Sequence, residues 1–192
     1  MTRAGPALVA AIFCLAAAPV DTPGPSYTAQ GNLCFPASYR DWTFLSSGID
    51  MRYSARPAMS GGAHVFDNVF VQPWAVAAFR HTGHWPEGTM LVLENRGGTG
   101  TGSINRHGVF QTGDVMGLEV HVHDSAHLPG GWGFFSFAGN APAPVTPRGA
   151  ACYACHQAHG AVDTTFVQFY PTLGPIAKAL GTYRSTSPLS GK

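Results

Sequence analysis

The chain has 192 residues, 45% of them hydrophobic and 11% charged, and a formal net charge of +1. That length suits a single domain with a core of its own. Its only lysines are Lys178 and Lys192 and its arginines are scattered, which excludes a nucleic-acid surface, since phosphate binding needs clustered positive charge.

The N-terminus reads as a secretory signal peptide over residues 1–18. Arg3 gives the positive start, and Leu8 to Ala18 form an apolar run too short to span a bilayer comfortably. Cys14 lies inside that run after Phe13, which does not suit a lipid anchor. The chain is therefore expected in the periplasm or otherwise exported, with no membrane span in the mature form. Residues 19–37, rich in Pro and Gly, read as a linker or loose arm. Residues 38–185 read as the folded domain and 186–192 as a tail.

Within the domain, Ser38 to Ser47 looks like the first ordered element, with Ser38 or Asp41 as a helix cap. Beyond Pro73 the apolar spacing is helical, which predicts a helix over 73–81, ended by Gly83. Trp85 to Gly88 reads as a turn and Thr89 to Asn95 as a strand. Gly97 to Ser103 reads as a flexible loop. Met116 to His123 alternates, with Leu118, Val120 and Val122 on one face and Glu119, His121 and His123 on the other, the pattern of a half-buried antiparallel strand. Trp132 to Phe137 is a further strand. Residues 141–147 form a Pro-rich link, and Phe166 to Tyr170 and Ile176 to Tyr183 are short helical pieces. With 24 glycines and 15 prolines, the chain suits a loop-rich protein of short strands rather than a helical bundle.

Chemistry concentrates at Cys152-Tyr153-Ala154-Cys155-His156, the pattern of covalent haem attachment. Two thiols add to the two vinyl groups of one haem c, and the adjacent imidazole supplies an axial iron ligand. A zinc site would need a second ligand pair, and no such cluster stands near His159. A redox dithiol would follow a strand of a doubly wound sheet. A disulfide between Cys152 and Cys155 would close a small strained ring. Haem is the reading on which pattern and export signal agree. It leaves Cys34 single, and burial as a small apolar side chain is its expected fate.

The other histidines are less telling. Glu119, His121 and His123 share a strand face that suits a metal, but a plain exposed polar face is the favoured reading. His64, His81, His84, His107 and His127 lie in or beside loops, each open to service as a sixth iron ligand and each more in keeping with a surface side chain. Met51, Met59, Met90 and Met116 have no telling context.

Several blocks beside the haem motif resemble the cytochrome P-460 and cytochrome c′-beta family. They are Tyr39-Arg40-Asp41-Trp42, Trp85 to Thr89 with Glu94, Gly117 to Val120, and Gly130 to Phe135. Behind the motif stand Asp163, Phe166, Phe169, Tyr170 and Pro171. The resemblance implies an α+β fold, a mainly antiparallel sheet with flanking helices, with one haem near the C-terminal end. It also implies a homodimer, a five-coordinate iron and an open distal side. Members of the P-460 type oxidise hydroxylamine and nitric oxide and bond a lysine to the porphyrin; those of the c′-beta type lack that bond and bind nitric oxide or carbon monoxide in an aromatic-capped pocket. Here the matching strand reads Met90-Leu91-Val92-Leu93-Glu94, and no lysine precedes Lys178. A second commonly basic position reads His123.

The expectation is thus a mono-haem protein that binds or redox-processes nitric oxide or a related small ligand, served by a redox partner protein. A hydroxylamine- or nitric-oxide-oxidising enzyme is the alternative, and a plain electron carrier with a sixth Met or His ligand is a third reading. Candidate cofactor contacts are Cys152, Cys155, His156, Phe134 and Phe135. Trp132, Phe137 and Phe79 are further candidates for a distal wall; strand alternation sets Phe135 and Phe137 against Trp132 and Phe134, so one pair belongs to the core. Asp163 and Glu119 are candidate distal carboxylates.

Overall fold

The computed structural model of the chain describes residues 24–51 and 64–185. The signal-peptide reading, Met59 and the C-terminal tail fall outside the described residues. Five strands form one antiparallel sheet in sequence order: β1 (Thr43–Ile49), β2 (His64–Val71), β3 (Met90–Thr99), β4 (Phe110–His123) and β5 (Trp132–Phe137). Among the described residues three helices flank it, α1 (Pro73–Thr82), α2 (Ala151–His159) and α3 (Gly174–Ala179). This is the α+β architecture expected. Among the described residues no helix is long and apolar enough to cross a membrane.

Alternation along the strands gives the sheet two faces. Val92, Val120 and Phe135 stand in register across β3, β4 and β5, and all three are fully buried in one core with Leu33 and Ala143. The next row, Leu91, His121 and Phe134, faces the other way. There α1 and the C-terminal segment lay down a second core, with Phe79 against Trp85 at 4.4 Å between ring centroids. Pro73 opens α1, where a missing N–H costs nothing, and Gly83 closes it in the left-handed region at φ 75°. A Cβ on Gly83 would also stand 2.6 Å from Thr182 Oγ1, so this exit must be glycine.

Several expectations need correction. Ser38 to Ser47 is one 3-10 turn (Tyr39–Asp41) without a side-chain cap, followed by β1. β3 runs on to Thr99 and β4 starts at Phe110, so Gly97 to Thr99 is ladder rather than loop. Residues 24–37 are no loose arm: Leu33 is fully buried and exchanges two 2.9 Å backbone hydrogen bonds with Ala143. Cys34 is half-buried, because this segment runs along the rim of the core rather than through it.

Candidate functional site

The haem motif lies on α2. Cys152, Cys155 and His156 stand three and four positions apart, so one helical face presents both thiols and the imidazole. Both cysteines are half-buried and neither is in a disulfide. Burial, with Cys152 nearby, raises the Cys155 thiol above its ordinary range. α2 buries none of its own residues fully. Tyr153 ties it to β5, donating from its hydroxyl to the Thr146 carbonyl (3.0 Å) and packing edge-on against Phe134 at 4.9 Å. Arg184 closes its C-terminal end, donating to the Gln157 and Gly160 carbonyls at 2.7 Å each.

Whether these residues suit a haem turns on His156. Its Nδ1 lies 2.8 Å from the Thr164 carbonyl oxygen. A carbonyl only accepts, so Nδ1 carries the proton and Nε2 keeps a free lone pair, the form an iron ligand needs. Burial lowers the imidazolium further, against the Thr164 hydrogen bond. The Thr164 carbonyl is itself held by a strained turn. Asp163 and Thr164 both have positive φ, 46° and 62°. The turn is clamped to the Trp85 segment: Asp163 accepts the Trp85 N–H at 2.8 Å and Trp85 Nε1 donates to Thr165 Oγ1 at 2.9 Å. Gly160 lets the turn close on α2, since a Cβ there would stand 2.6 Å from the Thr164 carbonyl carbon and 2.7 Å from the His156 oxygen.

A cavity of about 780 Å³, counted with its open mouth, lies beside His156 on the second sheet face. Its floor is a row of side chains from β1 to β4, among them Ser46, Val69, Leu91, Leu93 and Glu119; its walls are Phe134, Phe166 and Phe169. Asp67 and Met51 complete the rim. Among the described residues no lysine or arginine lines it. Donor set, tautomer and cavity together fit a haem.

The structure brings Phe134 to this site, 4.6 Å from His156 between ring centroids, but not Phe135, which is fully buried in the opposite core. Phe137 joins Phe135, and Phe79 belongs to the α1 core. Asp163 is spent on the turn and on His84 (2.8 Å), whereas Glu119 does line the cavity. None of His64, His81, His84, His107 and His127 lines it. His64 pairs with Asp50 and His127 with Asp124. Among the described methionines only Met51 does so.

The exposed-face reading of Glu119, His121 and His123 is overturned at its centre. His121 is 7% exposed, stacked on Phe134 at 4.0 Å and edge-on to His156 at 4.9 Å. Burial and the neighbouring His156 and His123 hold it well below the usual histidine range, so the ring is neutral. Alternation reveals two faces but not what covers each; here α2 and Phe166 cover the polar one. Thr164 was equally out of reach, because its role comes from turn geometry; Phe166 stood among the residues of the resemblance, but without a role. No cluster of three or more metal-binding side chains occurs among the described residues.

None of the curated proteins compared matches the chain. The family model of cytochrome P460 matches residues 36–167, from the 3-10 turn through the haem motif to the strained turn. The chain belongs to the cytochrome P460 family, whose members are haem proteins.

Proposed function

We propose that this chain is an exported cytochrome with one haem c, bound by thioethers to Cys152 and Cys155 and ligated through His156, that takes nitric oxide or a related small nitrogenous ligand on the open side of the iron. Leu93 carries the reading. It occupies the cavity floor on the strand where a porphyrin-bonded lysine would stand, and the nearest lysine in sequence, Lys178, lies on α3 with its Nζ over the Tyr183 ring. A bound haem supplies a redox-active iron with affinity for diatomic ligands. Thr164 keeps His156 in its iron-binding tautomer, while Val69, Leu91 and Leu93 keep the floor apolar. Asp67 and Glu119, with no cation among the described lining residues, favour neutral ligands over anions.

The ferrous protein is expected to be high-spin and to take up carbon monoxide and nitric oxide quickly. Met51 favours a second reading, since its thioether lines the cavity and would complete an electron carrier. A low-spin spectrum in both oxidation states, unresponsive to either gas, decides for that carrier. Steady hydroxylamine turnover with an artificial acceptor decides for the oxidising enzyme. Peptide mass mapping is expected to find haem joined to Cys152 and Cys155 alone; a third attachment, or a strongly red-shifted ferrous Soret band, restores the enzyme reading to first place. A homodimer and an exported one-electron partner protein belong to the proposal. Phe44 and Ile49, exposed on edge strand β1, suit the pairing, which sedimentation tests.

A further inference from the structure

Asp163 is outside the lining of the cavity, yet it stands one position before Thr164, whose carbonyl holds His156 Nδ1. Its two carboxylate oxygens have different partners. Oδ2 accepts the Trp85 N–H at 2.8 Å, and Oδ1 lies 2.8 Å from Nδ1 of His84. A carboxylate only accepts, so His84 Nδ1 carries a proton and donates it. Asp163 thus fastens the turn to two consecutive residues of one segment. That segment is firmly seated. Trp85 is 2% exposed and packs on Phe79, Thr182 donates to the Gly83 carbonyl at 2.9 Å, and the Thr82 hydroxyl accepts the His84 N–H at 3.1 Å.

The two ends of the pair differ in their access to water. The Asp163 side chain is 22% exposed and that of His84 is 57% exposed. Histidine is the side chain whose charge ordinarily changes between about pH 5 and 8, and here water reaches it. With a second proton, on Nε2, His84 is a cation, and its bond to Asp163 is charge-assisted, roughly twice as strong as a neutral one. Without that proton Nδ1–H still donates, as a neutral group. The pair therefore changes strength rather than breaking. Among the described residues Asp163 is the one ion-pair partner of His84. The elements beside it carry Arg80 and His81 at the end of α1, Glu87 and His123, which pair at 3.3 Å, and Lys178 on α3, held over the Tyr183 ring.

We propose that His84 and Asp163 are a positioning pair for the axial ligand, in which the charge on His84 sets how firmly the Asp163–Thr164 turn presents its carbonyl to His156 Nδ1. What concerns the iron rests on the haem reading above; what concerns His156 does not. A firmer carbonyl draws on the Nδ1 proton and makes Nε2 the better electron donor. Acid thus strengthens the iron–histidine bond, and the effect fades as His84 loses its second proton.

The test scans pH at constant ionic strength in the wild type, H84Q and D163N. Glutamine keeps a donor that does not titrate, and asparagine keeps the left-handed backbone of the turn while removing its charge. NMR on the chain as purified, in its diamagnetic ferrous carbon monoxide form when haem is present, follows the His84 ring, the Nδ1 proton of His156 and hydrogen exchange at the Trp85 N–H. The His156 signal is expected to shift with the midpoint of His84. The Trp85 protection factor is expected to fall above that midpoint by up to about fivefold, the most that an exposed ion pair allows. In the ferrous protein without carbon monoxide, the iron–histidine stretching band is expected to fall in frequency with the same midpoint. All three changes are expected to vanish in H84Q and D163N, whereas a merely structural pair would leave H84Q and the wild type alike at every pH. Changes that persist in H84Q overturn the proposal, as does a His156 signal that stays fixed while His84 titrates. His84 is exposed, so H84Q is expected to fold even if D163N does not. A chain that carries no haem defeats the function proposed above, and the NMR measurements still decide this pair.

Discussion

Thr164 holds a backbone conformation that a β-branched residue rarely takes, at a cost of about 1–2 kcal/mol. What the site uses is its carbonyl, which any residue supplies. Thr164→Gly is therefore expected to raise the unfolding free energy by about 1 kcal/mol, read from urea denaturation, with the axial histidine band unchanged. Cys152, Cys155 and His156 stood out in the sequence because local spacing alone marks their pattern. His121 did not, since its role depends on which layer lies over β4. Phe134 and Phe135 show the same limit: alternation separates them, and only the packing of α2 tells which one meets the imidazole.

At the scale of elements, α2 depends on what is attached to it. It buries none of its residues fully, has no side-chain cap at its start, and is fastened by Tyr153, Arg184 and the turn behind Gly160. In the haem-free chain it is expected to be the least protected helix in hydrogen exchange, and to gain protection once haem is attached. Gly160→Ala places a methyl group against the Thr164 backbone. It is expected to cost about 1–3 kcal/mol and to displace the iron–histidine stretching band by pushing the Thr164 carbonyl off Nδ1. An unshifted band with lost stability would mean that the helix, not the turn, gives way. α1, β3, the core of β4 and β5 were legible, because Pro, Gly and alternation mark them. β1 and β2 were missed: Thr43–Ile49 has no regular alternation, and β2 carries Asp67 and Asn68 amid its apolar residues.

The molecule as a whole is braced by a buried charge on the face away from the cavity. Glu94 is 2% exposed. It pairs with Arg40 and Arg96 at 2.7 Å each and accepts from Tyr39 and from Asn68 (3.2 Å), tying the 3-10 turn to β2 and β3. Removing one partner of a buried pair costs about 3–5 kcal/mol, because the other charge stays behind. Glu94→Ala is expected to lose stability of that order in denaturant titration while the carbon monoxide complex keeps its spectrum. A spectral change would mean that the two faces of the sheet are mechanically coupled.

Every strand of the sheet pairs with its neighbour in sequence, and the last of them ends at Phe137, before Cys152 and the rest of α2. Chains with such local pairing close short loops and fold quickly. The sheet that carries the cavity floor can therefore pair before the Cys152–His156 segment is made, whereas Phe166 and Phe169, which wall the cavity, follow it. The floor of the cavity is thus laid first, and its walls are raised last, by the same segment that carries the candidate haem ligands.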